Sequence, residues 1–246
     1  MKNLIPFPIF ITSIVIAFSS CKQNDNVPSN KIVPPIFNES ISYGTMTDAD
    51  GNAYKTVTIG TQTWMAENLR TTKYNDGTKI PNLKDNSEWV NATMGAYCTI
   101  LNTSDPDIIH LFGCLYNWNA INSGKLAPKG WHVPTDDEWT QLIEYLGGEY
   151  VASPKLKEAG TTHWSASTAE VTNESGFTAV PGGTRCVSCS VNDEGFGGGA
   201  ETGCWWSSTE SNIGLAWGRV LHNSSRTVFR LENYKTNGLS VRLVKD

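Results

Sequence analysis

GWHVPTDDEWTQLIEYLGG, residues Gly130 to Gly148, carries the strongest local signal in the chain and sets the frame for the rest. Thr135 stands at a helix N-cap position and Glu138 three residues later, so the two side chains can satisfy each other's backbone N–H groups as a capping box. Pro134 keeps the approach extended. Trp139, Leu142, Ile143 and Leu146 then recur at i, i+3, i+4 and i+7, one apolar stripe of an amphipathic helix. Gly147 and Gly148 end it. A helix with one apolar side needs a partner layer, and the flanking sequence predicts sheet.

Upstream, strand-like runs flank Asp50-Gly51-Asn52 and Gly60-Thr61, which predicts two successive hairpins. Asp48, Asp50 and Asn52 resemble the start of a calcium loop, but glycine falls fourth rather than sixth and Ile59 occupies the twelfth position, so a plain turn is expected. Trp64, Met65 and Leu69 are core candidates. Ser87 to Trp89 predicts a short helical turn, Gly95 to Ile100 a strand, and Asn102 to Ile109 a polar loop; Leu111 to Ala120 reads as buried. Downstream, Pro154 opens a short helix toward Gly160. Six glycines between Gly182 and Gly199 predict an irregular, exposed segment. Three alternating runs, 215–221, 227–231 and 239–244, predict a C-terminal meander.

The chain has 246 residues, 39% of them hydrophobic and 17% charged, with a formal charge of −5. A folded body of about 200 residues removes roughly 70% of its unfolded surface from water, so a core is expected without help from a metal or disulfide. The acidic balance and the lack of a Lys/Arg cluster argue against nucleic acid as a partner. At the N-terminus, Lys2 and the apolar run Ile9 to Phe18 predict a signal peptide over 1–20. Ser19 and Ser20 before Cys21 resemble a bacterial lipobox. Cys21 is therefore the expected lipidation site, placing the protein at the outer membrane, facing the periplasm or the cell surface. Residues 21–42, polar and proline-bearing, read as a flexible tether, and 43–246 as one folded domain.

DADGNAYKTVTIGTQTWMAENLRT, LYNWNAI, PKGWHVPTDDEW, NESGFTAVPGG, WWSSTE and NGLSVRLVKD occur in that order and together resemble the Fibrobacter succinogenes major paralogous domain. The resemblance covers residues 43–246. It implies an envelope lipoprotein with no established reaction. Gly130 to Glu138 and GLSVRLV are also distantly similar to segments of formylglycine-generating-enzyme-like domains. That similarity implies an α+β body with a C-type-lectin-like complex fold, a twisted antiparallel sheet, few helices and long loops. It also implies that Arg242 is a buried structural arginine. The family commonly has cysteines where this chain has Ala127 and Leu243, which implies a lost disulfide and makes Cys98 and Cys114 candidates for a compensating pair.

Beyond Cys21, five cysteines remain: Cys98, Cys114, Cys186, Cys189 and Cys204. Disulfide use is the expected role. The Cys186-x-x-Cys189 pair could also serve redox or half of a zinc site, but it lacks a helix behind it and a second such pair. No metal or cofactor is expected. His132, Asp136, Asp137 and Glu138 suggest acid–base work, yet capping accounts for Glu138 and the helix dipole for the aspartates. Candidate ligand contacts are Trp205, Trp206, Trp217, His222, Arg226, Asn233 and Tyr234, where aromatic faces and amide donors suit a glycan or protein ligand. A non-enzymatic, membrane-anchored binding module is the leading expectation. A structural or adhesion subunit comes second. A formylglycine-type cysteine oxidase, which would use a cysteine pair and copper, comes third.

Overall fold

The two expected hairpins form. Strands β1 (Gly44–Thr47), β2 (Ala53–Ile59) and β3 (Gln62–Met65) pair antiparallel, with Thr47 opposite Ala53 and Ile59 opposite Gln62. Asp48 fixes the first turn. Its Oδ1 accepts from the Asp50 and Asn52 N–H groups, and its Oδ2 from Asn52 Nδ2 and Tyr54 Oη. The carboxylate is thus committed to the hairpin. The computed structural model describes residues 32–165, 170–186 and 195–246. The expected leader, Cys21 and Cys189 lie outside them. Residues 32–42, expected as the end of the tether, instead lie against the body: the Ile36 N–H donates to Glu158 at 2.5 Å, and Asn38 Nδ2 to the Asn173 carbonyl at 3.0 Å. Phe37 and Ile41 give this stretch apolar surface to place there.

The middle of the chain is built of short pieces. Helix α1 (Asn86–Val90) is capped by Asp85; β4 (Tyr97–Thr99) pairs with β5 (Cys114–Tyr116). Between them lies α2 (Pro106–Phe112), where a loop was expected. Asp105 caps it, accepting from the Asp107 N–H at 2.9 Å, and Pro106 sits in the first turn, where its missing N–H costs nothing. Helix α3 (Trp118–Asn122) follows, capped by Asn117, then β6 (Trp131–His132).

Helix α4 (Asp136–Tyr145) is the helix expected from Thr135 and Glu138, with both halves of the capping box present. Its end is a Schellman motif: the Gly148 N–H donates to the Ile143 carbonyl and the Gly147 N–H to that of Glu144, both at 2.9 Å, with φ of +102° at Gly147. Trp139, Leu142, Ile143 and Leu146 are buried against Trp64, Phe177 and Trp205. Replacing Thr135 with alanine removes one side of the box and is expected to lower the unfolding free energy by about 1 kcal/mol in urea titration, with the fold retained. A loss near zero would show that the cap contributes nothing.

After α5 (Ser153–Leu156), β7 (Thr184–Arg185) pairs with β8 (Phe196–Gly197). The glycine-rich stretch was expected to be exposed, yet residues 181–186 and 195–197 are buried. Glycine permits this approach: a Cβ on Gly183, whose φ is +65°, would stand 2.7 Å from the Gly197 carbonyl oxygen.

The C-terminal sheet differs from the expected meander. It consists of β9 (Thr202–Asn212), β10 (Leu215–His222) and β11 (Val228–Tyr234), in the order β11-β10-β9. Residues 239–244 do not pair with β11; they run through the interior, where Ser240 bridges to Trp205 of β9, and end in β12 (Val244–Lys245), which pairs with β3 and β6. The first sheet therefore has the order β1-β2-β3-β12-β6, and every strand pair in the two sheets is antiparallel. This is an α+β body.

Strand β9 divides two core clusters. Cys204 and Trp206 point into one, with Met65, Tyr116 and Leu243; Trp205 points into the other, with Trp64, Trp139 and Phe177. The two-residue period of a strand sends neighbours to opposite faces, and here both faces are covered.

Candidate functional site

The buried tryptophans correct part of the expected ligand surface. Trp205 and Trp206 are both in the core, their indole N–H groups donating to Asn68 Oδ1 (2.9 Å) and the Tyr116 carbonyl (2.7 Å). Neither can touch a ligand. The other candidates separate. Trp217 and Tyr234 share one face of the β10–β11 ladder, Asn233 lies on the opposite face, and His222 and Arg226 sit at the far end, near the β10–β11 connection.

The expected disulfide role fails for three cysteines. Cys98, Cys114 and Cys204 are free and buried. The register explains the first two. Cys98 stands opposite Leu115 and Thr99 opposite Cys114, so the thiols project from opposite faces of the β4–β5 hairpin into different clusters. Burial pushes all three thiols up to about 12, so they are protonated at neutral pH. Cys186 is buried and disulfide-bonded.

The acidic start of α4 has a role beyond the helix dipole. Asp136 Oδ1 accepts from Arg219 Nη1 at 2.5 Å and Oδ2 from Arg230 Nε at 2.9 Å. Arg219, fully buried, also donates to the Asp136 carbonyl and to Thr140 Oγ1, both at 3.1 Å. Arg230 stacks on Trp217, 3.4 Å from the ring centroid. Arg219 and Arg230 face each other across β10 and β11, so one carboxylate ties the helix to both strands. These arginines line a cleft of about 280 Å³ with Thr140, Glu144 and Glu149. The Nε of Arg219 has no partner among the described residues.

A second cleft is apolar. Ile100, Leu101, Ile108, Phe112, Pro181 and Ala200 line about 420 Å³. Leu101 and Asn102 hold φ of +49° and +52°, in the left-handed region, and Leu101 is nevertheless 59% exposed. A leucine in that conformation costs roughly 1–2 kcal/mol. The side chain it displays packs into no core cluster. One wall of this cleft is α2, which stands where a polar loop was expected over Asn102 to Ile109; Asp105-Pro106 is its local sequence signal.

Two of the four histidines, His132 and His163, are held against carboxylates. His132 lies between Asp246 (2.7 Å) and Glu138 (2.8 Å), and His163 between Glu158 (2.6 Å) and the Val33 carbonyl (3.0 Å). Burial works against the imidazolium at both sites, but the carboxylate partners outweigh it and raise both pKa values. A raised histidine pKa gives stability that is fully present below the unfolded value of about 6.5 and is lost as pH rises through the folded value. Unfolding free energy is therefore expected to fall as pH rises above about 6.5. Most of that loss belongs to His163, whose side chain and that of Glu158 are 7% and 1% exposed, whereas solvent screens the His132 pairs. His163→Gln should flatten the profile, and an unchanged slope would contradict this assignment.

Among the described residues no helix is long and apolar enough to cross a membrane, and no group of three or more histidine, cysteine or acidic side chains is placed to hold a metal. No curated protein matches the chain, and no solved structure does. The Fibrobacter succinogenes major domain family matches residues 57–245, a span that takes in both clefts, α4 and the whole C-terminal sheet. The chain belongs to the Fibrobacter succinogenes major domain family.

Proposed function

We propose that this chain is a non-catalytic binding module, held at the bacterial outer membrane by a lipid on Cys21, which takes an apolar segment of a protein ligand in the cleft between Leu101, Ile108, Phe112 and Ala200. One observation carries the reading: an exposed leucine in a strained left-handed conformation stands on the wall of a 420 Å³ apolar cleft. Strain of this kind is retained where surrounding structure holds it and function uses it. The protonated buried thiols and the ion-paired histidines favour binding over cysteine oxidation. The same reading takes the body as C-type-lectin-like, supported by its few short helices, antiparallel sheets and long connections.

Arrays of apolar peptides and of glycans, probed with the purified full chain in detergent, test the proposal. Saturable binding to peptides carrying Leu, Ile or Phe is expected, lost in Ile108→Asp and kept in Trp217→Ala. Leu101→Gly separates binding from folding. It removes the displayed side chain while relieving the left-handed strain, so ligand binding should weaken as stability stays level or rises by up to about 1 kcal/mol. A second reading, a polar or glycan ligand in the Arg219–Arg230 cleft, is favoured by the unpartnered Arg219 Nε. Binding to glycans alone, lost in Trp217→Ala, would overturn the first reading in favour of the second.

A further inference from the structure

Strand β11 is the edge of its sheet. The Lys235 N–H donates to the Gly214 carbonyl across the hairpin at 3.1 Å. Backbone polar groups reverse direction at each residue of a strand. Residues 229, 231 and 233 therefore bond to β10, and those of Val228, Arg230, Glu232 and Tyr234 point away. Val228 fits this parity, since its N–H donates outward to the Glu149 carbonyl at 2.7 Å, and the Tyr234 carbonyl accepts from the Asn237 N–H at 2.8 Å. Among the described residues that leaves the N–H and C=O groups of Arg230 and Glu232 without a backbone partner. Such an edge is usually protected by proline, lysine or a bulge. VFRLENY has neither proline nor lysine, and its register with β10 is unbroken. Phe229 and Leu231, 38% and 47% exposed, occupy one face of this edge.

We propose that β11 pairs antiparallel with β11 of a second copy of this chain, about a two-fold axis at Leu231. The charge pattern selects that register. Centred on residue 231, Arg230 of each copy stands opposite Glu232 of the other, and the backbone N–H and C=O groups of these two residues on both strands meet as four hydrogen bonds. Centred on 230 or 232, like charges face each other, which opposes pairing. Arg230 commits Nε to Asp136, and neither of its Nη groups has a partner among the described residues. Glu232 accepts a hydrogen bond from Ser211 through one carboxylate oxygen, leaving the other for the partner. On the opposite face Leu231 meets Leu231 of the other copy, and Phe229 meets Asn233, so the exposed apolar side chains become covered. One strand pair is a small interface, and a dissociating, transient dimer is what it can support.

Cysteine cross-linking of the full chain reads the register. Residue 231 would be a pair without mutual backbone hydrogen bonds, where opposed Cβ atoms lie about 4.5–5.5 Å apart. Leu231→Cys should give an oxidised dimer on a non-reducing gel, well above the unsubstituted chain. Phe229→Cys should not link to itself, but should link to Asn233→Cys when the two variants are mixed. In sedimentation velocity the unsubstituted chain should show a monomer–dimer equilibrium, and Glu232→Arg should weaken it about tenfold by facing arginine with arginine twice. A monomer at all concentrations, a Leu231→Cys yield no higher than that of the unsubstituted chain, or equal self-linking at 229 and 231 would overturn the proposal. So would recovery of a monomer whose β11 edge holds a strand of another protein.

Discussion

Asp136→Ala is expected to lower the unfolding free energy by about 3–5 kcal/mol, because it leaves the buried Arg219 guanidinium without its counter-charge. Arg219 is almost fully covered in the folded protein. It is 1% exposed, and burial already draws its pKa below the ordinary guanidinium value while Asp136 opposes the shift. The same change frees Arg230 from its second anchor and leaves it stacked on Trp217 alone. Helix α4 would then keep its apolar packing and lose its polar tie to β10 and β11. In thermal scans the loss should appear as a drop of about 6–20 °C, given about 2–4 °C per kcal/mol for a domain of this size. Asp137, exposed on the same first turn, is the control. Asp137→Ala should change stability by about 0.5 kcal/mol or less. Equal effects at 136 and 137 would mean that only the helix dipole is at stake.

Arg242→Ala should be nearly as damaging, for a different reason. Arg242 is fully buried and joins three stretches of chain: Nη1 donates to the carbonyls of Phe177 (2.7 Å) and Met65 (3.1 Å), Nη2 to Thr178 (3.0 Å), and Nε to Asn68 Oδ1 (2.7 Å). Burial pulls its pKa down to about 9, which still leaves it charged at neutral pH. Each acceptor stranded by the substitution costs about 1–3 kcal/mol, so a total of about 4 kcal/mol or more is expected. Asn68 is cushioned, because its Oδ1 also accepts from Trp205 Nε1. Thr178, held at φ +53°, has less to fall back on. Arg242→Lys should recover only part, since an ammonium cannot reproduce the planar fork. Urea unfolding of the three proteins measures this directly, and a loss of about 1 kcal/mol or less in Arg242→Ala would show the network to be redundant.

What sequence could reach was set by how local the cause is. The capping box, the Schellman end of α4 and the Asp48 hairpin involve residues within six positions of one another, and all are written in the chain there. Long-range ties are not. Nothing near Asp136 announces Arg219, 83 residues away, so its role looked like a dipole contribution. Trp205 and Trp206, expected as ligand contacts, are both buried because both faces of β9 are covered, by α4 on one side and by Tyr116 and Leu243 on the other. The meander failed at its third strand for a similar reason. Residues 239–244 alternate as a strand should, but their partners are Tyr116, Trp205 and β3 rather than β11. Helix α2 was legible and missed: Asp105-Pro106-Asp107 is a cap, a first-turn proline and an acid at the positive end. Had it been read, Ile108 and Phe112 would have stood together with Leu101 as a candidate apolar wall.

In the proposed function the strained Leu101 turn and α2 form a seat for an apolar ligand segment. It is tested most directly by methyl NMR of the full chain, labelled at isoleucine and leucine, titrated with the peptide bound best on the array. Saturable shifts at Ile100, Leu101 and Ile108, with Leu221 and Leu231 unmoved, are the predicted result. Shifts confined to methyls around the Arg219–Arg230 cleft, or none at saturating peptide, would contradict it.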